Sequence, residues 1–178
     1  ITMSNHDNKE NLSELCSELI SESVGKIGEN LVLRRSESLK GNIYSYIHNS
    51  VSPGLGKIGV LLSLDSEIMD LEEIGKNICM HIAALNPKSI SKEDLSHELI
   101  MSEREILKQQ LKDSGKPDNI LEKMMEGKLN KFFQENTLLG QPFVIDPTIN
   151  VEEYLDQSSK DLKSNISIKD FIRFEVGS

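Results

Sequence analysis

The sequence predicts an α+β protein in which a three-stranded antiparallel sheet packs with helices and an antiparallel helical hairpin protrudes from it. Three observations predict this class. Two runs of alternating apolar residues, 43–48 and 58–64, flank a loop rich in proline and glycine, which is typical of a β-hairpin. A third alternating run lies near the C-terminus, at 168–176. Between them, apolar residues recur at intervals of three and four, the spacing of amphipathic helices.

The N-terminal segment is predicted to hold a polar tail, one helix and one strand. Residues 1–9 are polar and are expected to be a disordered tail. Apolar residues recur at helical spacing from 11 to 24, and Gly25 is expected to end this helix. Residues 29–36 alternate as a strand does. Such a strand would present an unpaired edge, so we expect it to dock on the layers that follow, to pair with a neighbouring chain or to be poorly ordered.

The hairpin is predicted over 42–64, with residues 49–56 as its loop. Pro53 and the glycines that follow it suit a loop rather than a strand interior. A helix is predicted next, over 67–85, and Asn86-Pro87 is expected to stop it because the residue before a proline disfavours helical geometry.

The helical hairpin is predicted at about 92–136. Ser91 can cap its first helix, which is expected to run from 92 to 113, and Asp94 completes a capping box. A short turn with glycine and proline, 114–117, joins it to a second helix, so the two helices are expected to lie antiparallel. The second helix carries a wide apolar stripe that suits either a core contact or a partner-binding face: Ile120, Leu121, Met124, Met125, Leu129, Phe132 and Phe133.

Two prolines predict an extended linker over 141–147, and a short helix is predicted after it, over 151–162. Asn150 is expected to cap this helix, with Glu153 completing the capping box. The last strand, 168–176, carries large apolar side chains on both faces. We therefore expect both of its faces to be covered, at least in part.

Composition and charge exclude several classes of function. The chain has 178 residues, 37% of them hydrophobic, and a formal net charge of −9. A negative charge disfavours binding to nucleic acid and to anionic membranes, and no apolar run approaches the roughly 20 residues of a membrane span. Two cysteines far apart in sequence, and no recognisable signal peptide, fit a reducing compartment. We expect a cytoplasmic protein whose partners are other proteins.

No motif for a catalytic site, a metal or a cofactor is recognisable. Residues 54–57, Gly-Leu-Gly-Lys, lack the spacing and the following Ser or Thr of a phosphate-binding loop. Cys79 and His81 stand two apart on a helix, which favours buried structural side chains over a metal site or a nucleophile pair. His97 is predicted to be a solvated helix residue. His48 is by its pattern a surface histidine at a strand end, beside a loop of the kind that often mounts recognition residues.

Several separated segments resemble the C-terminal half of bacterial elongation factor Ts. Their joint order and spacing carry the resemblance, because any one of them alone is weak. The segments are GENLVLRR (28–35), KIGVLL (57–62), MHIAA (80–84), EREI (103–106), SGKP (114–117), EGKLNKF (126–132), QPFV (141–144) and FIRFEVG (171–177).

The resemblance implies a domain organisation and a partner. Residues 10–40 would be a remnant of the first half of a two-part core, and residues 41–178 would be the second half, with the helical hairpin inserted in it. The hairpin could support self-association. The second half would pack on the third domain of the GTPase elongation factor Tu. Tyr46 and His48 match the family's Tyr-x-His segment, so the resemblance makes them the candidate partner-binding residues.

The resemblance also implies a function, guanine-nucleotide exchange, in which the factor promotes GDP release from elongation factor Tu during translation. We expect no enzymatic activity and no cofactor. The family's Thr-Asp-Phe segment, which reaches the Mg²⁺ and nucleotide site of the GTPase, would precede Ile1, as would its N-terminal module. We therefore expect a fragment that mainly docks. The alternative is a non-enzymatic adaptor that binds an unrelated partner through the helical hairpin.

Overall fold

The structure is a computed structural model that describes residues 12–52, 54–68, 70–112 and 117–177. The predicted tail, 1–9, lies outside these residues. The elements in chain order are α1 (Leu12–Ile27), β1 (Asn42–Ser52), β2 (Leu55–Asp65), α2 (Glu72–Leu85), a short 3-10 helix (Lys92–Asp94), α3 (His97–Lys112), α4 (Asp118–Asn136), α5 (Val151–Leu162) and β3 (Ser167–Glu175).

The three strands form one antiparallel sheet with β2 in the middle. Leu62 of β2 lies opposite Tyr44 of β1 and Phe171 of β3, so these three side chains share a face of the sheet. The α+β class and the three-stranded antiparallel sheet are thereby confirmed. None of the helices in the described ranges is long and apolar enough to cross a lipid bilayer.

Helix α2 covers one face of the sheet and forms the main core with it. Val60 and Leu62 of β2 are fully buried, as are Ile78 and Ile82 of α2. The helix approaches the sheet most closely at Gly75, where a side chain would overlap the ring of Tyr44. Burial of aliphatic side chains on both layers is the main source of stability for this contact.

The predicted strand over 29–36 is wrong, because these residues form no regular structure. Arg35 and, beyond the segment, Lys40 contact the face of the sheet opposite to α2. The Arg35 guanidinium lies 4.9 Å from the centre of the Phe174 ring, and the Ser63 hydroxyl donates a hydrogen bond of 3.1 Å to the Lys40 carbonyl. Of the three expected outcomes for this segment, docking on the neighbouring layer is supported at Arg35, whereas residues 29–35 are all exposed. An alternating pattern alone cannot make a strand where no partner edge supplies hydrogen bonds.

Two predicted element ends are also wrong. Helix α1 continues through Gly25 to Ile27, and Gly28, with φ of 75°, is the glycine that ends it. The hairpin loop is shorter than the predicted 49–56, because β1 extends to Ser52 and β2 begins at Leu55. A register shift between Ser50 and Ser52 lets residues that were predicted to lie in the loop belong to β1.

The helix predicted over 67–85 begins later than expected, at Glu72, although its end at Leu85 is correct. The helix predicted over 92–113 is interrupted at Leu95, whose extended backbone (ψ of 136°) separates the 3-10 turn from α3. Leu95 is buried, so the interruption places an apolar side chain in the interior. The capping box of Ser91 and Asp94 is confirmed.

Helices α3 and α4 contact each other and form the predicted helical hairpin; most of the turn between them, 113–116, lies outside the described residues. Their buried leucines, Leu107, Leu111 and Leu129, are not part of the core that lies under the sheet. The base of the hairpin is tied together by backbone hydrogen bonds, including Leu138 N–H to the Ser89 carbonyl at 2.9 Å. The hairpin therefore extends from the core as a separate layer.

The C-terminal elements follow the predictions closely. Helix α5 spans Val151–Leu162, and Asn150 caps it in a reciprocal box with Glu153. Strand β3 spans Ser167–Glu175. The preceding linker anchors through Phe143, whose ring stacks on Tyr154 of α5 with centroids 4.2 Å apart. Tyr154 in turn accepts a hydrogen bond from the Asn77 amide, which links α5 to α2.

Candidate functional site

Tyr46 and His48 lie on β1, on the face of the sheet that α2 covers. They continue the row that begins with buried Tyr44, but they lie beyond the densest part of the core. Tyr46 is half-buried and His48 is exposed. The Tyr46 hydroxyl and His48 Nδ1 are 3.1 Å apart, and their ring centroids are 6.0 Å apart. The two side chains thus form a hydrogen bond at the edge of the sheet.

These two residues form one wall of an open cleft of about 540 Å³ at the end of the sheet. The cleft lies where three strands, the C-terminal part of α2 and the linker after α4 converge. Six of its ten lining residues are apolar, and the other four, two on β1 and two on β3, are polar. The lining residues are Tyr46, His48, Ile58, Met80, Ala83, Ala84, Val144, Ile145, Arg173 and Glu175.

Arg173 closes the cleft on the β3 side and completes the end of α2. Residue 87 is a proline, which has no N–H to offer the Ala83 carbonyl four residues earlier. The Arg173 Nε and Nη2 atoms donate to that carbonyl at 3.3 and 3.2 Å. Arg173 also pairs with Glu175 at 2.9 Å. Its positive charge also interacts favourably with the C-terminal end of the helix dipole. The guanidinium therefore has a structural role at the end of α2.

The far wall of the cleft, Val144 and Ile145, is held from behind by His81 of α2. The Val144 N–H donates to His81 Nδ1 at 3.2 Å. On the other side of the ring, Nε2 lies 3.0 Å from Gln141 Oε1. The Gln141 amide nitrogen donates to the Glu135 carbonyl at 2.7 Å, which fixes the amide's orientation. His81 is therefore the neutral tautomer with its proton on Nε2.

Burial governs the titration of both α2 side chains that the sequence singled out. Burial lowers the pKa of His81 below 6.5, although the hydrogen bond to Gln141 opposes this shift. Burial, with a smaller contribution from Glu72, raises the pKa of the Cys79 thiol to about 12. Both side chains are fully buried, which confirms the interpretation as structural residues. A thiol with that pKa stays protonated at neutral pH and is a poor nucleophile.

The lowered pKa of His81 predicts a pH dependence of stability. The unfolded chain binds a proton at His81 below pH 6.5, whereas the folded chain resists it until lower pH. The contribution of neutral His81 to the free energy of unfolding is therefore fully present above pH 6.5. It falls as the pH drops from 6.5 towards the folded pKa, with a slope of at most about 1.4 kcal/mol per pH unit. Urea unfolding between pH 5 and 7.5 measures this slope. It should be shallower in His81→Gln, and an unchanged slope would contradict the prediction.

The structure brings together the two residues that the family resemblance makes candidate partner-binding residues. Tyr46 and His48 lie together and line the cleft, and exposed His97 lies outside it. The other eight of the ten lining residues, Val144, Ile145 and Arg173 among them, were not singled out as site residues by the sequence. Val144 and Ile145 are 41% and 50% exposed. The signal available in the sequence was the pair of adjacent aliphatic residues, Val144 and Ile145, within the linker predicted between Pro142 and Pro147. Within the described residues, no group of three His, Cys, Asp or Glu side chains is placed to hold a metal ion.

Comparisons with known proteins agree on one family. The family model described as Elongation factor TS matches residues 2–178. A protein named elongation factor Ts from Paracoccus denitrificans (strain Pd 1222) is 44% identical over 161 residues, which cover 90% of this chain and 52% of that protein. The protein of the same name from Rickettsia felis is 45% identical over 166 residues, with 90% and 54% covered. The one from Parvibaculum lavamentivorans is 42% identical over 170 residues, with 93% and 55% covered. The chain spans about half the length of the curated relatives it matches.

Proposed function

Because this chain belongs to the elongation factor Ts family, we propose that it takes part in guanine-nucleotide exchange on elongation factor Tu and that it docks on this GTPase through the cleft of Tyr46 and His48. The observation that carries the docking proposal is the cleft itself. It combines exposed aliphatic residues, Val144 and Ile145, with an ordered pair of polar rings on a rigid sheet.

The chemistry of the cleft suits a protein partner. Strong contacts at interfaces come from pockets that lose their water on binding and that present aromatic or aliphatic anchors inside a polar rim. Ile58, Met80 and Ala84 supply apolar surface between the two walls. The Tyr46 hydroxyl and the His48 ring supply hydrogen-bonding groups at the rim. Since β1 and α2 are both fixed by the core, little conformational entropy would be lost on docking.

Exchange activity would arise from linkage and not from covalent chemistry. A factor that binds the nucleotide-free GTPase more tightly than the nucleotide-bound form weakens nucleotide binding by the same factor. A weakening of about 10³-fold needs about 4 kcal/mol of differential contact energy. A surface that binds both forms equally contributes affinity and orientation but no exchange. We assign the cleft this docking role, and no residue of this chain a role in bond making or breaking.

The test is a titration of elongation factor Tu with this 178-residue chain and two isoleucine variants of similar exposure. Ile145→Asp places a charge in the cleft, whereas Ile120→Asp places the same charge on α4, outside the cleft; the two isoleucines are 50% and 43% exposed. We expect Ile145→Asp to weaken binding by about 30-fold, because docking would bury a charged carboxylate where the parent chain buries an apolar side chain. Ile120→Asp should bind as the parent chain does.

GDP release should be followed in the same samples. The parent chain is expected to bind the GTPase and to accelerate GDP release little by itself. Equal weakening by both aspartate variants would remove the cleft from the docking surface. Absence of binding by the parent chain would contradict the docking proposal as a whole.

A second candidate function uses the helical hairpin. Met101 and Ile106 of α3 are 50% and 47% exposed, so the hairpin presents apolar surface away from the core. Such surface is typical of a protein contact. We propose that this surface supports self-association or, if the chain is an adaptor, the binding of its partner. The sedimentation coefficient should rise with concentration for the parent chain and not for Ile106→Asp, and the same monomeric behaviour of both would contradict this proposal.

We also propose that residues 10–40 are the remnant of the first half of the core and that 41–178 form the second half. The change from irregular backbone to β1 at Asn42 supports this boundary. Arg35 and Lys40 contact Phe174 and Ser63 on the sheet face opposite to α2. If a chain that begins at residue 41 failed to fold, the division would be wrong.

A further inference from the structure

We propose that His81 is a positioning residue for docking: by accepting the Val144 N–H it holds Val144 and Ile145 in the shape that forms the far wall of the cleft. This inference rests on the proposed docking function. His81 itself is fully buried and does not line the cleft. It would act through the backbone of the linker and not by touching a partner.

Val144 and Ile145 are only partly buried, so their own packing stabilises the conformation of the linker little. Phe143 is 1% exposed, but Val144 and Ile145 are 41% and 50% exposed. The Phe143 N–H is bound to the Ile149 carbonyl at 2.9 Å, which closes the loop behind the wall. Asp146 binds the Thr148 N–H and hydroxyl, at 3.1 and 2.6 Å, on the far side. The contact with His81 is therefore the hydrogen bond that ties Val144 to α2.

His81 is itself held on its opposite edge, which makes the contact directional. Its Nε2–H donates to Gln141, and the Gln141 amide nitrogen reaches the Glu135 carbonyl at 2.7 Å and the Leu85 carbonyl at 3.5 Å. The ring thus has its plane and its tautomer fixed by the ends of α4 and α2. A fixed acceptor at Nδ1 sets both the position and the orientation of the Val144 peptide group.

The two ring nitrogens can be tested separately, because side-chain amides place their polar atoms at different distances from the backbone. Asparagine puts an oxygen at the δ position, where His81 has its acceptor for Val144. Glutamine has carbon there and puts its polar atoms at the ε position, where His81 faces Gln141. His81→Asn therefore keeps an acceptor for the wall, and His81→Gln removes it. Asparagine is the smaller side chain, so it leaves the larger void and should be the less stable variant.

The experiment measures affinity for elongation factor Tu and urea stability for the parent chain and both variants. We expect His81→Gln to weaken binding by about three- to tenfold, the equivalent of one lost positioning hydrogen bond, and His81→Asn to stay within about twofold. Affinity and stability should then rank the two variants in opposite orders. A structural role alone would make affinity follow stability, and that ranking would overturn the proposal.

Two further measurements keep the outcome decisive. Amide exchange at Val144, followed by NMR in the free protein, should become at least about tenfold faster in His81→Gln, as expected when a protecting bond is lost; an unchanged rate would overturn the proposal. Cys79→Ala makes a void beside the same helix but keeps the hydrogen bond between His81 and Val144, so the affinity of this variant should be unchanged. Cys79→Ala is the control if His81→Asn fails to fold. Absence of binding by the parent chain would overturn docking itself, whereas binding with the reversed ranking would overturn the positioning role alone.

Discussion

Phe143→Ala is expected to lower the free energy of unfolding by about 3–5 kcal/mol, the range found when a buried aromatic side chain is removed. Phe143 is 1% exposed, and its ring stacks on Tyr154 with an interplanar angle of 22°. The ring centroid of His81 is 5.8 Å away. Alanine would leave a void between α5, α2 and the linker, and none of these layers can close it without moving the others. Equilibrium urea unfolding gives the change directly.

The matched control is Phe132→Ala on α4. Phe132 is half-buried, and it forms an edge-on pair with Phe133 within the helical hairpin, outside the main core. The same chemical deletion should therefore cost clearly less, because less apolar surface is returned to water. If both variants lost the same stability, the linker would not be an integral part of the core. Phe143→Ala should also loosen Val144, so its binding to the GTPase is expected to weaken together with its stability.

Much of the fold could be predicted because its elements satisfy local rules. The alternation of apolar residues predicts β1, β2 and β3 as strands, and the reciprocal capping box of Asn150 and Glu153 marks the start of α5. These signals depend on residues close in sequence. Some of the failures involve tertiary contact and others local irregularities, such as the register shift in β1. Residues 29–36 alternate like a strand but form no regular structure, and Arg35 contacts Phe174 of the sheet. Leu95 interrupts a helical pattern and is buried.

The candidate site was less predictable, because its parts come from distant elements. Periodicity described His48 as a surface histidine at a strand end, and only the family resemblance gave Tyr46 and His48 a role. The cleft exists because α2, β3 and the linker meet there, and no sequence window contains all three. Arg173 shows the difficulty most clearly. Its role follows from Pro87, which leaves the Ala83 carbonyl without a helical partner, and this connection spans 90 residues.

The second large effect is expected at Gly75, where an ordinary rule of helix stability should reverse. Replacing a helical glycine by alanine generally stabilises a helix by about 0.5–1 kcal/mol, because glycine loses more conformational freedom on folding. At Gly127 of α4, an added Cβ meets no atom within 4 Å, so Gly127→Ala should show this gain. At Gly75, the added Cβ would overlap the Tyr44 ring and lie 2.7 Å from Tyr44 Cβ. Gly75→Ala should instead lose about 1–3 kcal/mol, the cost of overpacking a core.

Thermal and urea unfolding of the two variants form a comparison in which the chemical change is identical and only the surroundings differ. Shifts of the same sign would contradict the close packing of α2 on β1. The expected loss at Gly75 also reaches the cleft. Relief of the clash would move α2 away from Tyr44. The same helix carries Met80 and Ala83, which line the cleft, and His81, which accepts the Val144 N–H. Gly75→Ala should therefore weaken docking on the GTPase, whereas Gly127→Ala, on a helix outside the cleft, should leave docking unchanged.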